Sequence, residues 1–351
     1  MEIKATGKSH KALFLNTLAF TFCFAAWMLN GVLITFLSAN QVYDWGPIQI
    51  GWLIGIPVLT GSLFRLPAGV LTDRFGGKPI FTGLLLLSAI PMFLLSYADS
   101  FWSFAICSFG FGLCGTSFSI GIAFTALWYP KKNQGTALGI FGAGNAGAAF
   151  TTLCAPSILN ALTDKGSNIE GWRSLPVYYA IGLVIMAVIF VVFSENKRPE
   201  IRQKNFISMM APLKQMRVWR FGLYYFLVFG CFVAFSQWLV PYFVNVYFLP
   251  LVTAGILAAL FSFPSGVIRA LGGWMSDTMG PRKVMYMVLG LSVAISFLLI
   301  IPKMEIYSPG KGIMARNSGV VSEINQTEIK VIGVGGGGSN AVSRMMRDRP
   351  D

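Results

Sequence analysis

Apolar residues run in long blocks along most of the chain, broken by short polar stretches. Nine blocks stand out, at roughly 12–38, 50–72, 79–98, 101–129, 134–161, 172–194, 220–248, 251–276 and 284–302. Each is close to the roughly 20 residues that a helix needs to cross the hydrocarbon core of a bilayer. Only helices and closed barrels satisfy every backbone group in lipid, and the strict alternation of barrel strands is absent here. The pattern therefore predicts an all-α membrane protein. The first block is longer than the apolar core of a secretory leader and lacks a small-residue cleavage site, so it is read as a first span. After Pro302 the blocks stop, and residues 303–351 are polar and glycine-rich.

Composition agrees with this reading and closes other routes. The 351 residues are 55% hydrophobic and 12% charged, about half the charged fraction of a soluble domain. A net charge of +13 would suggest nucleic acid in a soluble protein, but here the cations flank apolar blocks. One set of loops holds Lys4, Lys8 and Lys11, then Arg74 and Lys78, Lys131 and Lys132, Arg282 and Lys283, with six more between 195 and 219. The opposite loops hold Lys165, Arg173 and Lys303. Lys and Arg collect on the cytoplasmic side, which places the amino terminus and the 195–219 segment there. Cys23, Cys107, Cys114, Cys154 and Cys231 all fall in apolar blocks without metal-ligand spacing. The lone histidine, His10, lies in the polar amino-terminal segment. No metal, no cofactor, no enzyme activity and no nucleic-acid partner are expected; the partner is the lipid bilayer, and the chain is expected to be a monomer.

Two blocks share a deeper pattern. Residues 50–78 contain Arg65 within an apolar run, and residues 251–283 contain Arg269 in the same setting. With the arginines aligned, Gly69 falls on Gly273, Asp73 on Asp277 and Gly76 on Gly280, without a gap. An ionisable residue at membrane depth is costly and marks a functional site by default. One in each copy of a repeat suggests a transporter with a single site between its halves.

Both arginines sit on the second span of a half, and the 195–219 loop divides the halves. The turn Gly69 to Lys78, with Asp73, Arg74 and Gly76, resembles the signature between spans two and three of the major facilitator superfamily. The second copy is looser: Thr278 stands in place of Arg74 and Pro281 in place of Gly77. The resemblance implies a major facilitator fold with a complete six-span first half and a second half truncated to three spans, followed by a non-membrane tail. Residues 139–156 contain Gly142-Ala-Gly144-Asn145-Ala-Gly147, which resembles the nitrate signature of the nitrate/nitrite porter family. The likeness covers residues 10–302; a second signature expected on span eleven is not present.

That resemblance implies transport of nitrate or nitrite by a multi-pass protein of the bacterial inner membrane, with Arg65 and Arg269 as paired substrate arginines. Nitrate is flat with three equivalent oxygens, and a guanidinium is a flat, permanent cation whose forked donors match paired oxygens. The family likeness implies Phe118 and Phe229 as an aromatic clamp. Tyr225, one turn from Phe229, shares its face and can offer a hydroxyl. Asn145 offers an amide donor, and Gly142, Gly144 and Gly147 leave room for an ion. Plainer roles stand beside these: a packing seam for the glycines, core or lipid contact for the phenylalanines, Tyr224 in place of Tyr225, and a helix–helix bond for Asn145. No acid or histidine lies at mid-membrane depth to relay a proton. Obligatory exchange of nitrate against nitrite is therefore expected, with proton symport as the alternative, and a truncated porter without transport as a further one.

The tail differs in kind. Residues 329–347 hold a β-branched run, then Gly335 to Gly338 and Asn340, and resemble the amino-terminal glycine loop of FtsZ, a tubulin-like GTPase. The likeness spans about 20 residues and lacks the rest of that fold, so GTP binding is not expected. A junction of unrelated coding sequences near 303–314 is. The expected organisation is a six-span half at 1–194, a basic linker at 195–219, a partial half at 220–302, a flexible linker at 303–328 and the FtsZ-like fragment at 329–351.

Overall fold

A computed structural model of the protein describes residues 6–199 and 211–298. Within them the chain is helical, and no strand occurs among the described residues. Eight helical units are long and apolar enough to cross a membrane: α1 (Gly7–Ala39), α2 (Pro47–Phe75), α3 (Gly77–Tyr97), α4 (Phe101–Ala126), α5 (Lys131–Leu162), α6 (Ile169–Phe193), α7 (Met216–Tyr247) and α8 (Leu251–Met279). The ninth expected span corresponds to α9 (Pro281–Leu298). It opens with Pro281, Arg282 and Lys283, is followed only to Leu298, and does not join the eight. The expected linker at 303–328 and the FtsZ-like fragment lie outside the described residues, as does most of the basic 195–219 segment.

The centre of the molecule is α1. Its apolar stretch is 89% buried, against 28% for α2. Lipid-facing helices expose leucine, isoleucine and phenylalanine freely, so burial here measures how many helices surround an element. Helix α1 touches α4, α5 and α6, and its second part carries α7. Helix α3 packs on α6, and α8 runs along α5 from end to end. That last seam is made of small residues. Gly135 and Gly139 meet Gly273, Gly266 meets Ala146, and Gly255 meets the Thr152 carbonyl. Lipid tails are as apolar as leucine, so close backbone approach between small residues is what holds helices together in a membrane.

The repeat is visible in the backbone. Helix α2 ends at Phe75 and α8 at Met279, and each is followed by a glycine in the same left-handed region: Gly76 at φ 88° and Gly280 at φ 89°. The Gly76 N–H donates to the Thr72 carbonyl and the Gly280 N–H to the Ser276 carbonyl, which are equivalent residues. Only glycine adopts this conformation without a Cβ clash.

Four spans are interrupted in the middle of their length, which block hydropathy does not reveal. Helix α1 breaks at Met28 and α2 at Phe64. Helix α4 tightens to a 3-10 turn over Gly112–Thr116, and α5 does so over Ala143–Ala146. Gly147 closes the α5 break and lies against the Thr21 carbonyl and Ala25 backbone of α1. A side chain there has nowhere to go, and overpacking costs about 1–3 kcal/mol. Gly147→Val is expected to lower the thermal midpoint of the purified protein by several degrees. Gly83→Val, on an open face of α3, is expected to leave it unchanged.

Candidate functional site

Arg65 is the first residue after the α2 break. Its Nε donates to the Gly115 carbonyl at 3.3 Å, on the 3-10 turn of α4, and its Nη1 donates to the Tyr225 hydroxyl at 3.1 Å. Its own carbonyl accepts from the Ser119 hydroxyl at 3.1 Å. Four rings surround the guanidinium carbon, with centroids at 4.8 Å for Phe229, 5.6 Å for Phe118, 5.8 Å for Trp27 and 5.9 Å for Tyr225. Each desolvated cation–π contact contributes up to about 2 kcal/mol. The remaining nitrogen, Nη2, is buried without a partner.

Arg269 approaches from the other half. Its guanidinium carbon lies 4.9 Å from the Phe232 ring and 5.6 Å from the Phe229 ring, and its Nε is buried without a partner. The two arginines thus share one ring, Phe229. The ion pairs among the described residues join Lys8 to Glu195 and Arg173 to Asp99 and Glu170; neither Arg65 nor Arg269 takes part. Two cations thus lie against one ring with N–H groups that no group among the described residues accepts.

The aromatic residues expected here are together, but not as an open clamp. Tyr225 and Phe229 stack at 4.9 Å and 11°, the shared face that their spacing predicts. Phe118 and Phe229 stack at 5.4 Å and 26°. A flat ion held between two rings needs about 7 Å, twice a carbon–carbon contact distance. In this conformation the two rings therefore close on each other.

Asn145 is fully buried in the α5 turn, and its Nδ2 donates to the Gly142 carbonyl at 2.6 Å. Its Oδ1 has no partner. The three signature glycines separate. Gly142 faces Arg269, where a methyl group would stand 3.4 Å from Cδ. Gly144 packs on Phe20 and the Thr17 carbonyl, and Gly147 on Thr21 and Ala25. Those two belong to the α1–α5 seam rather than to the arginines.

The turn residues also part company. Asp277 reaches the start of the α5 helix: Oδ1 accepts from the Gly135 N–H at 2.9 Å, and Oδ2 from the Thr136 N–H at 2.6 Å and the Thr136 hydroxyl at 2.7 Å. A carboxylate at a helix amino terminus satisfies orphan donors and complements the helix dipole. The equivalent Asp73 makes no hydrogen bond among the described residues. Arg74 lies over the Phe75 ring at 5.3 Å. The Lys78 N–H donates to Asn196 Oδ1 at 3.3 Å. Gly273 packs on Gly135 and Gly139, and nothing crowds Gly69. Sequence reading missed Trp27, Ser119 and Phe232. Phe232 was findable, three residues from Phe229 on the same face. No local signal marks Trp27 or Ser119. Among the described residues no group of His, Cys, Asp and Glu is placed to hold a metal.

A model of the Major Facilitator Superfamily matches residues 15–327. The chain belongs to that superfamily. A protein of Thermus thermophilus named "Probable nitrate/nitrite antiporter NarK1" is 40% identical over 337 residues, covering 93% of this chain and 75% of that protein. The "Nitrite extrusion protein" of Bacillus subtilis is 32% identical over 314 residues, covering 89% and 77%. The chain is thus a member of the nitrate/nitrite porter family within the superfamily. It spans about three quarters of the length of these relatives. The family match runs past 303–314, the interval where a junction is expected from the sequence. A bacterial homolog of the human lysosomal transporter Spinster, in an inward-facing and unoccupied conformation, superposes with a TM-score of 0.58 at 19% identity. That likeness covers 80% of this chain and 64% of the solved one, and concerns the fold alone.

Asp277 and Asp73 give a paired test of the turn in this family member. Asp277→Ala removes the cap of the α5 helix and is expected to cost about 1 kcal/mol, read as a lower thermal midpoint. Asp73→Ala is expected to change it less.

Proposed function

We propose that the chain carries nitrate and nitrite across the bacterial inner membrane, with the anion bound between Arg65 and Arg269. The observation that carries this reading is the pair of buried guanidinium nitrogens, Arg65 Nη2 and Arg269 Nε, that have no acceptor among the described residues. A buried N–H of a cation without a partner costs more than a neutral one, and a small monoanion supplies acceptors to both. The aromatic surround favours a flat, weakly hydrated ion over a compact, strongly hydrated one. The names of the relatives support the same substrate class. The Tyr225 hydroxyl already accepts from Arg65 Nη1, so it stands beside the anion as a partner shared with the first arginine. The amino terminus is assigned to the cytoplasm on the distribution of Lys and Arg.

Transport is by exchange in this reading. An empty site keeps two cations apart from any carboxylate, and closing a dry cavity around unpaired charges costs several kcal/mol per ion. A bound anion offsets that cost and joins the two halves. The loaded carrier then switches sides and the empty one does not. No titratable carboxylate or histidine contacts either arginine among the described residues, and arginine does not deprotonate in proteins.

Counterflow in liposomes tests both parts. Nitrate is expected to enter vesicles loaded with nitrite in the absence of a proton gradient. Arg65→Lys, which keeps the charge but loses the fork, is expected to reduce exchange about 10- to 100-fold, matching about 1.5–3 kcal/mol for a charged hydrogen bond. Uptake that needs a proton gradient and no internal anion would overturn exchange. Arg65→Lys exchanging as fast as the parent would overturn the site.

A further inference from the structure

The α1 break leaves a carbonyl to account for. In a continuous helix the Gly31 N–H would bond to the Trp27 carbonyl. Instead it bonds to the Met28 carbonyl at 3.3 Å. Trp27 O is freed within residues 23–37, every one of which is buried, where no water is at hand and an unsatisfied backbone group is costly. Its partner comes from the other half: Gln237 Nε2 of α7 donates to it at 3.3 Å. Only the amide nitrogen can face a carbonyl, so the orientation of Gln237 is determined, and its Oε1 is left buried without a partner. Gln237 is 1% exposed. The approach is possible because residue 31 is glycine; a methyl group there would stand 2.6 Å from Gln237 Oε1 and 2.7 Å from its carbonyl.

The same Trp27 is tied to the site. Its Nε1 donates to the Pro57 carbonyl of α2 at 2.7 Å, and its indole lies over the Arg65 guanidinium. Gln237 follows Phe229 by eight residues, about 12 Å along α7. Helices α7 and α8 run antiparallel, so Gln237 lies beyond the arginines on the face opposite Asp277. The halves are thus joined on one face by Asp277 and on the other by Gln237.

We propose that Gln237 is an inter-half clasp and a positioning residue for Arg65: its amide fastens α7 to the break in α1, and this holds Trp27 against the guanidinium. Opening this face to load or release an anion breaks the Gln237–Trp27 bond. Breaking it loosens the ring that packs Arg65. The inference rests on the transport reading only for its second half; the clasp itself concerns the protein without anion.

The test uses the full chain in liposomes with its five cysteines replaced by alanine and Val240→Cys introduced. Val240 is fully buried, one turn beyond Gln237. Labelling of this cysteine by a membrane-impermeant thiol reagent, without anion, reads opening of that face. Gln237→Met keeps length and removes the amide. Gly31→Ala pushes on the same contact from α1, and serves if the first variant fails to fold. Either is expected to speed labelling about 3- to 10-fold, the shift from losing one hydrogen bond. The nitrate concentration giving half-maximal exchange is expected to rise by a similar factor, with Gly83→Val, on the open face of α3, leaving both readouts unchanged. Unchanged labelling in both folded variants would overturn the clasp. Faster labelling with unchanged half-saturation would overturn the positioning role. Faster labelling in a protein that exchanges no nitrate would support the clasp and remove the transport reading instead.

Discussion

A backbone carbonyl released inside a membrane has no water to turn to, and much of this structure answers that constraint. The break in α1 frees Trp27 O, and the amide of Gln237 takes it. The 3-10 turn of α4 offers Gly115 O to Arg65 Nε. At the 3-10 turn of α5, Asn145 takes the carbonyl of Gly142, the residue just before the turn. Three of the four interruptions thus take a polar side chain, Gln237, Arg65 and Asn145, at three different heights in the bundle. A site at membrane depth needs irregular backbone, and irregular backbone is tolerated where it is buried in protein. The bundle supplies both conditions through the near-complete burial of α1.

The arginines are held differently, and the difference follows from their neighbours. Arg65 is engaged at two nitrogens and ringed by four aromatic faces. Arg269 makes no hydrogen bond among the described residues and rests on Phe232 and Phe229. One guanidinium is oriented and the other is packed. Phe229 touches both, so a movement of α7 bears on both cations at once. Small residues along the α5–α8 seam allow close contact, while Asp277 supplies a directional bond at one end of that seam and Gln237 a second one between α7 and α1.

Much of the frame was legible in the sequence. The alignment of Arg65 with Arg269 predicted that Gly76 and Gly280 are equivalent, and both take the same left-handed backbone angle. The one-turn spacing of Tyr225 and Phe229 predicted their stacked rings. What was not legible depended on partners distant in the chain. Nothing near Gln237 points to Trp27, which lies 210 residues earlier. Gly144 and Gly147 share a motif with Gly142 yet face another helix, because positions two and five residues on point about 200° and about 140° away round a helix. Window hydropathy averages over such turns and hides them. The closed spacing of Phe118 and Phe229 also has no sequence signal, since it belongs to a conformation rather than to a fold.

Among the described residues no carboxylate pairs with either arginine, and under the proposed exchange this has an electrical consequence. A unit charge crossing a 100 mV membrane potential changes in energy by about 2.3 kcal/mol. An exchange of one monoanion for another moves no net charge over a full cycle, whatever charge the protein itself carries between the two orientations. A return of the empty carrier would instead leave the anion's charge behind, and the membrane voltage would drive or oppose the cycle. Under the proposed exchange, voltage independence is a property of occupancy, and cellular energisation acts on the carrier only through the concentrations of the ions on either side.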